Sequence, residues 1–213
     1  MSDDISKNEN VSDNRENRLE TRVGVLIAVF AAIMAISDLF AGKFGEDEIK
    51  FTNEKSAAYS WYQAKSIKQT LVEGQADLLK SLIMGHVIQP SSQVAIEKHI
   101  LDLQSKQQRY EKDKKEILMG SQSLKKEEWS QEVDGKLGQV FGAKEYEARI
   151  EVLSKIGDQF DVANLFFQLA LVLGAICLVS RKQKAQKMFY ALMFTLGILG
   201  TGFSAYAFYL SMT

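Results

Sequence analysis

Three apolar runs constrain this chain more than any other feature. Residues 23–41, 160–180 and 188–210 are almost free of charge. Each is near the ~20 residues that cross a ~30 Å hydrocarbon layer at 1.5 Å rise per residue. The last two flank one short basic segment, 181–187, with Arg181, Lys182, Lys184 and Lys187 and no acid. Such a pattern predicts an all-α membrane protein with three transmembrane helices. It also fixes where the remaining residues lie.

Most of the 26 basic and 27 acidic residues fall between positions 43 and 159. That segment is expected to be a soluble domain between the first and second spans. The balanced charge argues against nucleic acid as a partner, which would call for a basic face. Residues 1–22 are polar and poor in large apolar side chains, and read as a disordered tail. The one cysteine, Cys177, lies in an apolar run, and the one proline, Pro90, leaves room for long helices.

Within 43–159, helical spacing recurs. Ala64, Ile67, Leu71, Leu78 and Leu82 form one stripe, flanked by Val72, Leu79 and Ile83. After Pro90, Ile96, Ile100, Leu103, Tyr110 and Ile117 recur at heptad intervals. Trp129, Val133, Leu137, Val140 and Phe141 read as a further amphipathic run, with a bend or loop where Gly135, Gly138 and Gly142 cluster. Tyr146, Ile150, Leu153 and Ile156 lead without a breaker into the second span. These stripes predict a long helical hairpin, coiled-coil-like, folded along a seam. Pro90 marks its turn, with Ser91 and Ser92 as N-caps.

Several residues are candidates for function. Trp61, Tyr62, Lys65 and Lys68 form the most distinctive polar–aromatic cluster, read either as a packing layer or as an interaction site. In the spans, Asp38, Asn164 and Gln168 are the polar side chains of interest. Asp38 has two readings, an interfacial acid beside Lys43 or a partner of Asn164 or Gln168. Gly197, Gly200 and Ser204 supply small-residue spacing for close helix packing. His86 and His99 flank the Pro90 turn and read as surface histidines. No catalytic set, metal motif or cofactor motif occurs, so no cofactor, metal or catalytic residue is expected.

The segments WYQAKSIKQTL (Trp61–Leu71), RYEKDKKEI (Arg109–Ile117) and FDVANLFFQLALVL (Phe160–Leu173) resemble motifs of an uncharacterised family of small bacterial membrane proteins. The order of elements, one span, a helical hairpin and two spans about a basic turn, is similar to that family's. The resemblance implies the architecture and brings no activity.

The expected function is that of a non-enzymatic integral membrane protein, an oligomeric scaffold or interaction module. The alternative is a subunit of a transport or pore-forming complex. Its expected partners are the lipid bilayer, further copies of itself, and a membrane or periplasmic protein. Basic flanks face the cytoplasm. Arg15, Arg18 and Arg22 before the first span, and segment 181–187, therefore predict a bacterial inner-membrane protein with its helical domain on the periplasmic side.

Overall fold

The computed structural model describes residues 18–212. Among the described residues there are four α-helices, α1 (Ser2–Met84), α2 (Pro90–Met119), α3 (Ala143–Val179) and α4 (Gln183–Met212). Three of them, α1, α3 and α4, are long and apolar enough to cross a membrane. Most of the tail expected over 1–22, residues 1–17, lies outside the described residues; Arg18 to Arg22 belong to α1. The chain divides into two units, residues up to 47 with 152–213, and residues 48–151.

In the first unit, α1, α3 and α4 share one core. Val23, Phe30, Ala163, Phe167, Ala170, Cys177 and Met193 are its buried members. A second cluster gathers Ile156, Phe160 and Ala207, with Phe40, Phe44 and Leu210 packed on it. The pairing of α1 with α4 has a constant offset. Gly197 abuts the Phe30 ring, and seven residues further along each helix Ser37 and Ser204 share a 2.7 Å hydrogen bond. The two helices therefore run in the same direction, in register over two turns. α3 runs against them, since Ile27 meets Gly174 while Phe44 stacks on Phe160. Between α3 and α4 the chain turns over Ser180 to Lys182. Lys184 and Lys187 stand on the first turns of α4, not in the loop expected over 181–187.

In the second unit, rising numbers on α1 meet falling numbers on α2. Ala58 clusters with Ile117, Lys65 meets Asp113, and Val72 and Ala76 pack with Leu103. α1 ends with Met84. His86 adopts φ 54°, and the amides of His86 and Val87 bond to the carbonyls of Ile83 and Leu82. These paired bonds close the helix end that would otherwise leave its carbonyls orphaned. Pro90 opens α2, where its missing N–H costs nothing. The N-cap is Gln89, without a side-chain bond. Ser91 and Ser92, expected as caps, lie inside the first turn instead, because proline takes the first helical position.

Two further expectations need correction. The stripe Ile67, Leu71 and Leu78 is 69%, 61% and 61% exposed, while Val72 and Ala76 are buried. α1 in fact carries two heptad stripes. Ala58, Tyr62, Lys65, Gln69, Val72, Ala76, Leu79 and Ile83 form the one that faces α2. Ala57, Ser60, Ala64, Ile67, Leu71, Gly74, Leu78 and Ser81 form the other, and every one of these is exposed. At 3.5 residues per turn the two lie about 150° apart around the helix. Hydrophobicity marked the stripe with the larger residues, but α2 packs on the other, where Lys65 meets Asp113.

The run from Trp129 to Phe141 is not a helix. Residues 120–142 form two short 3₁₀ turns, at Ser121–Ser123 and Lys126–Glu128, and a minimal β-hairpin of β1 (Glu132–Val133) and β2 (Lys136–Leu137). Asp134 and Gly135 turn it with φ 52° and 74°. Two positive φ angles in sequence are what a two-residue Asp-Gly hairpin turn needs.

Candidate functional site

In the second unit, most of the polar–aromatic cluster packs where three helices meet. Tyr59, Trp61 and Tyr62 of α1, Leu118 of α2 and Tyr146 of α3 pack on the buried Ala58, Ile117 and Ala143. One turn further along α1, Lys65 Nζ lies 2.7 Å from Asp113 Oδ2. The same ammonium stands 5.8 Å from the Tyr110 ring, and Lys114 stands 5.4 Å from the Tyr62 ring. Thus the structure brings Trp61, Tyr62 and Lys65 together and leaves Lys68 on the exposed surface. The side chain of Asp113 is 1% exposed and that of Lys65 17%. Asp113 Oδ1 has no hydrogen-bond partner. At the edge of this cluster, Tyr59 donates to Glu147 over 3.1 Å, and this bond raises the phenol above its usual pKa. Burial, with Glu54 adding to it, does the same to Tyr146.

One turn beyond Asp113, Glu116 is fully buried. Its Oε2 accepts from the amides of Ser130 and Gln131 at 2.7 and 2.8 Å, and from Ser130 Oγ at 3.3 Å. Its Oε1 accepts from Ser121 Oγ at 2.7 Å. Ser121 Oγ in turn accepts from the Val140 amide at 2.9 Å, and the Ser121 carbonyl accepts from Trp129 Nε1 at 2.7 Å. One carboxylate thereby holds both ends of the non-helical segment. Gly142 then starts α3, and Glu145 three residues on accepts its amide at 2.8 Å, half of a capping box. A carboxylate saturated by fixed donors is suited to shaping a loop rather than to moving a proton. Sequence reasoning passed over Glu116 because it sits in a run of charged residues, KDKKE, that reads as a solvated face. A heptad count would have found it: it lies next to Ile117 on the buried side.

In the first unit, Asn164 Nδ2 donates to Asp38 Oδ1 at 2.5 Å. Gln168 does not join them and is exposed on α3. The small residues do separate jobs. Gly197 leaves room for Phe30, Gly200 lies against Ala163 and Phe167, and Ser204 bonds Ser37. Cys177 is buried and its thiol donates to the Gln186 carbonyl at 3.2 Å across the α3–α4 turn. His86 and His99 are both exposed. Among the described residues, no group of three or more His, Cys, Asp or Glu is placed to hold a metal.

A family model covers residues 19–210, from within α1 to two residues short of the end of α4. The chain belongs to the DUF4337 family. That family is described as a domain of unknown function. No curated protein and no solved structure matches this DUF4337 chain. Membership therefore attaches no role to Lys65, Asp113 or Glu116, and the reading of function rests on their physical setting.

Proposed function

We propose that this chain is a non-enzymatic integral membrane protein of a bacterial inner membrane. In this reading α1, α3 and α4 cross the bilayer, and α1 with α2 forms a coiled-coil-like hairpin outside it that pairs copies of the chain. The observation that carries the reading is the second heptad stripe of α1. A helix that already has one seam filled has no need of another at 3.5-residue spacing unless a further helix covers it. Fully burying a side chain the size of Leu or Ile contributes roughly 1.5–3 kcal/mol, and each chain offers three in line.

A second copy suits the stripe. Copies inserted alike in one bilayer are related by rotation about its normal, so identical helices run in the same sense. Parallel pairing sets Gln63 opposite Lys68 of the second copy and Thr70 opposite Gln75, with no like charges facing. The pore reading has less support, because Asp38 pairs with Asn164 and Ser37 with Ser204 inside one chain, which leaves Gln168, exposed on α3, as the one member of the expected polar set outside these bonds.

The orientation follows from charge. Arg22 of α1 and Tyr190 of α4 line one groove, so both basic flanks lie at the same end of the first unit. Short basic flanks stay cytoplasmic, whereas long translocated segments are largely exempt from that rule. The helical hairpin then faces the periplasm, with other periplasmic or membrane proteins as its further partners.

The test of pairing is the mass of the protein in nanodiscs. The native chain should give two or more copies per particle. The triple variant Ile67→Asn, Leu71→Asn, Leu78→Asn should give one, with unchanged helical circular dichroism, because these side chains are exposed in the single chain. A native protein with one copy per particle in every lipid tried would sink the reading.

A further inference from the structure

At the end of the bundle where both basic flanks lie, Thr21, Arg22, Val25 and Leu26 of α1 and Tyr190 and Phe194 of α4 line an open groove of about 340 Å³. Because α1 and α4 run in the same direction, the groove changes character along its length. Arg22 stands at the mouth, just before the apolar run. Val25, Leu26 and Phe194 lie about one turn deeper. Arg18 precedes Arg22 by four residues, and Lys187 precedes Tyr190 by three. Each therefore repeats the groove-lining face one turn further out. Arg18, Arg22 and Lys187 are exposed, and no ion pair between described residues uses them. The nearby acid, Glu20, is two residues from both arginines and so points to the other side of the helix.

We propose that this groove binds an anionic phospholipid. Its phosphate sits between Arg22 and Lys187, with Arg18 completing the cationic mouth. The upper part of one acyl chain lies along Val25, Leu26 and Phe194. Tyr190 stands at the level where aromatic side chains favour the headgroup boundary. A cationic mouth above an apolar floor matches an amphiphile, and the floor offers nothing to a free phosphate. Basic pockets between spans on the cytoplasmic side suit anionic headgroups for the same reason. The inference rests on the membrane insertion proposed above, and adds a specific lipid to it.

The test uses the full chain, delipidated in detergent and titrated with dioleoyl phosphatidylglycerol or dioleoyl phosphatidylcholine, with bound lipid counted by native mass spectrometry. A surface cation contributes about five-fold to anionic-lipid affinity, so with three cations at the mouth the native protein should prefer the anionic lipid by about 100-fold. Arg22→Gln with Lys187→Gln should bring the preference down to about five-fold, the share left to Arg18. Arg181→Gln with Lys182→Gln removes equal charge from the α3–α4 turn, outside the groove-lining residues, and should leave most of it. Val25→Trp fills the groove, keeps every charge, and should weaken anionic-lipid binding at least ten-fold. Glycerol phosphate, the headgroup without chains, should not compete at millimolar concentration.

Equal affinity of the native protein for the two lipids would overturn the site. So would equal losses in the two charge pairs, which would mean diffuse attraction, or displacement by glycerol phosphate. Alkaline carbonate extraction of the same cells separates the two levels of the reading. A protein that stays with the membrane yet shows no preference removes the lipid site alone, while a protein that is washed out removes insertion as well.

Discussion

Replacing Lys65 by Met is expected to destabilise the 48–151 unit by about 3–5 kcal/mol, the cost of leaving a buried charge without its partner. Asp113 is almost wholly buried, and its second oxygen already lacks a partner. Once Lys65 is gone, the carboxylate has no compensating charge in the seam. The reverse change should be milder. In Asp113→Asn the ammonium keeps an exposed edge, and a lysine stem can carry its head to water. We expect about 1–2 kcal/mol there, as for a lost hydrogen bond to a charged group. The double variant Lys65→Met, Asp113→Leu should recover most of the loss, because well-packed apolar residues often replace a buried ion pair without penalty. Chemical denaturation followed by tryptophan fluorescence reads this unit selectively, since Trp61 and Trp129, the protein's two tryptophans, both lie in it. Equal losses for the two single variants would contradict the burial asymmetry.

Glu116→Ala should cost about 3–5 kcal/mol on the same measurement, by a different route. Removing the carboxylate strands the buried amide of Gln131 and the half-buried one of Ser130, a buried one being worth roughly 1–3 kcal/mol when unsatisfied. It also releases the hydroxyl of Ser121, which holds Val140. Glu116→Gln retains the carbonyl oxygen that takes the three bonds from Ser130 and Gln131, and should lose only about 1 kcal/mol. A Gln variant as damaged as the Ala variant would show that charge, not hydrogen bonding, holds the segment. The Ala variant should also turn residues 120–142 protease-sensitive at protease levels that leave α1 and α2 intact.

How far the sequence reveals this structure depends on how local the deciding interaction is. The three long apolar helices were legible because a run of uncharged residues needs no partner to be recognised. So was the buried face of α2, where Ile100, Leu103 and Ile117 are the large apolar residues at heptad spacing. For Asp38, depth offered both Asn164 and Gln168 beside an interfacial reading, and only the packing of α1 on α3 selects Asn164. The seam of α1 was misread because its buried face is built from Ala58, Val72, Ala76 and an ion pair. Hydrophobic size pointed instead to Ile67, Leu71 and Leu78, which the single chain leaves in the open. The loop around Glu116 escaped for a related reason. Its organising contacts join residues up to 19 positions apart through backbone amides, and such amides leave no trace in side-chain patterns. The Asp134–Gly135 turn was the one local signal there, and an apparent helical repeat from Trp129 to Phe141 obscured it.

Pairing and lipid binding both depend on insertion and orientation, and reporter fusions in a bacterium test these most directly. Alkaline phosphatase, active only outside the cytoplasm, is joined after Ser123 and, separately, after Ser211. A fluorescent protein that matures only inside is joined at the same two points. The account predicts active phosphatase and dark fluorescent protein at both, and the reverse pair for fusions at Lys182, between α3 and α4. Fluorescence at Ser123 and Ser211 with phosphatase activity at Lys182 would contradict the orientation, and fluorescence at all three would contradict insertion itself.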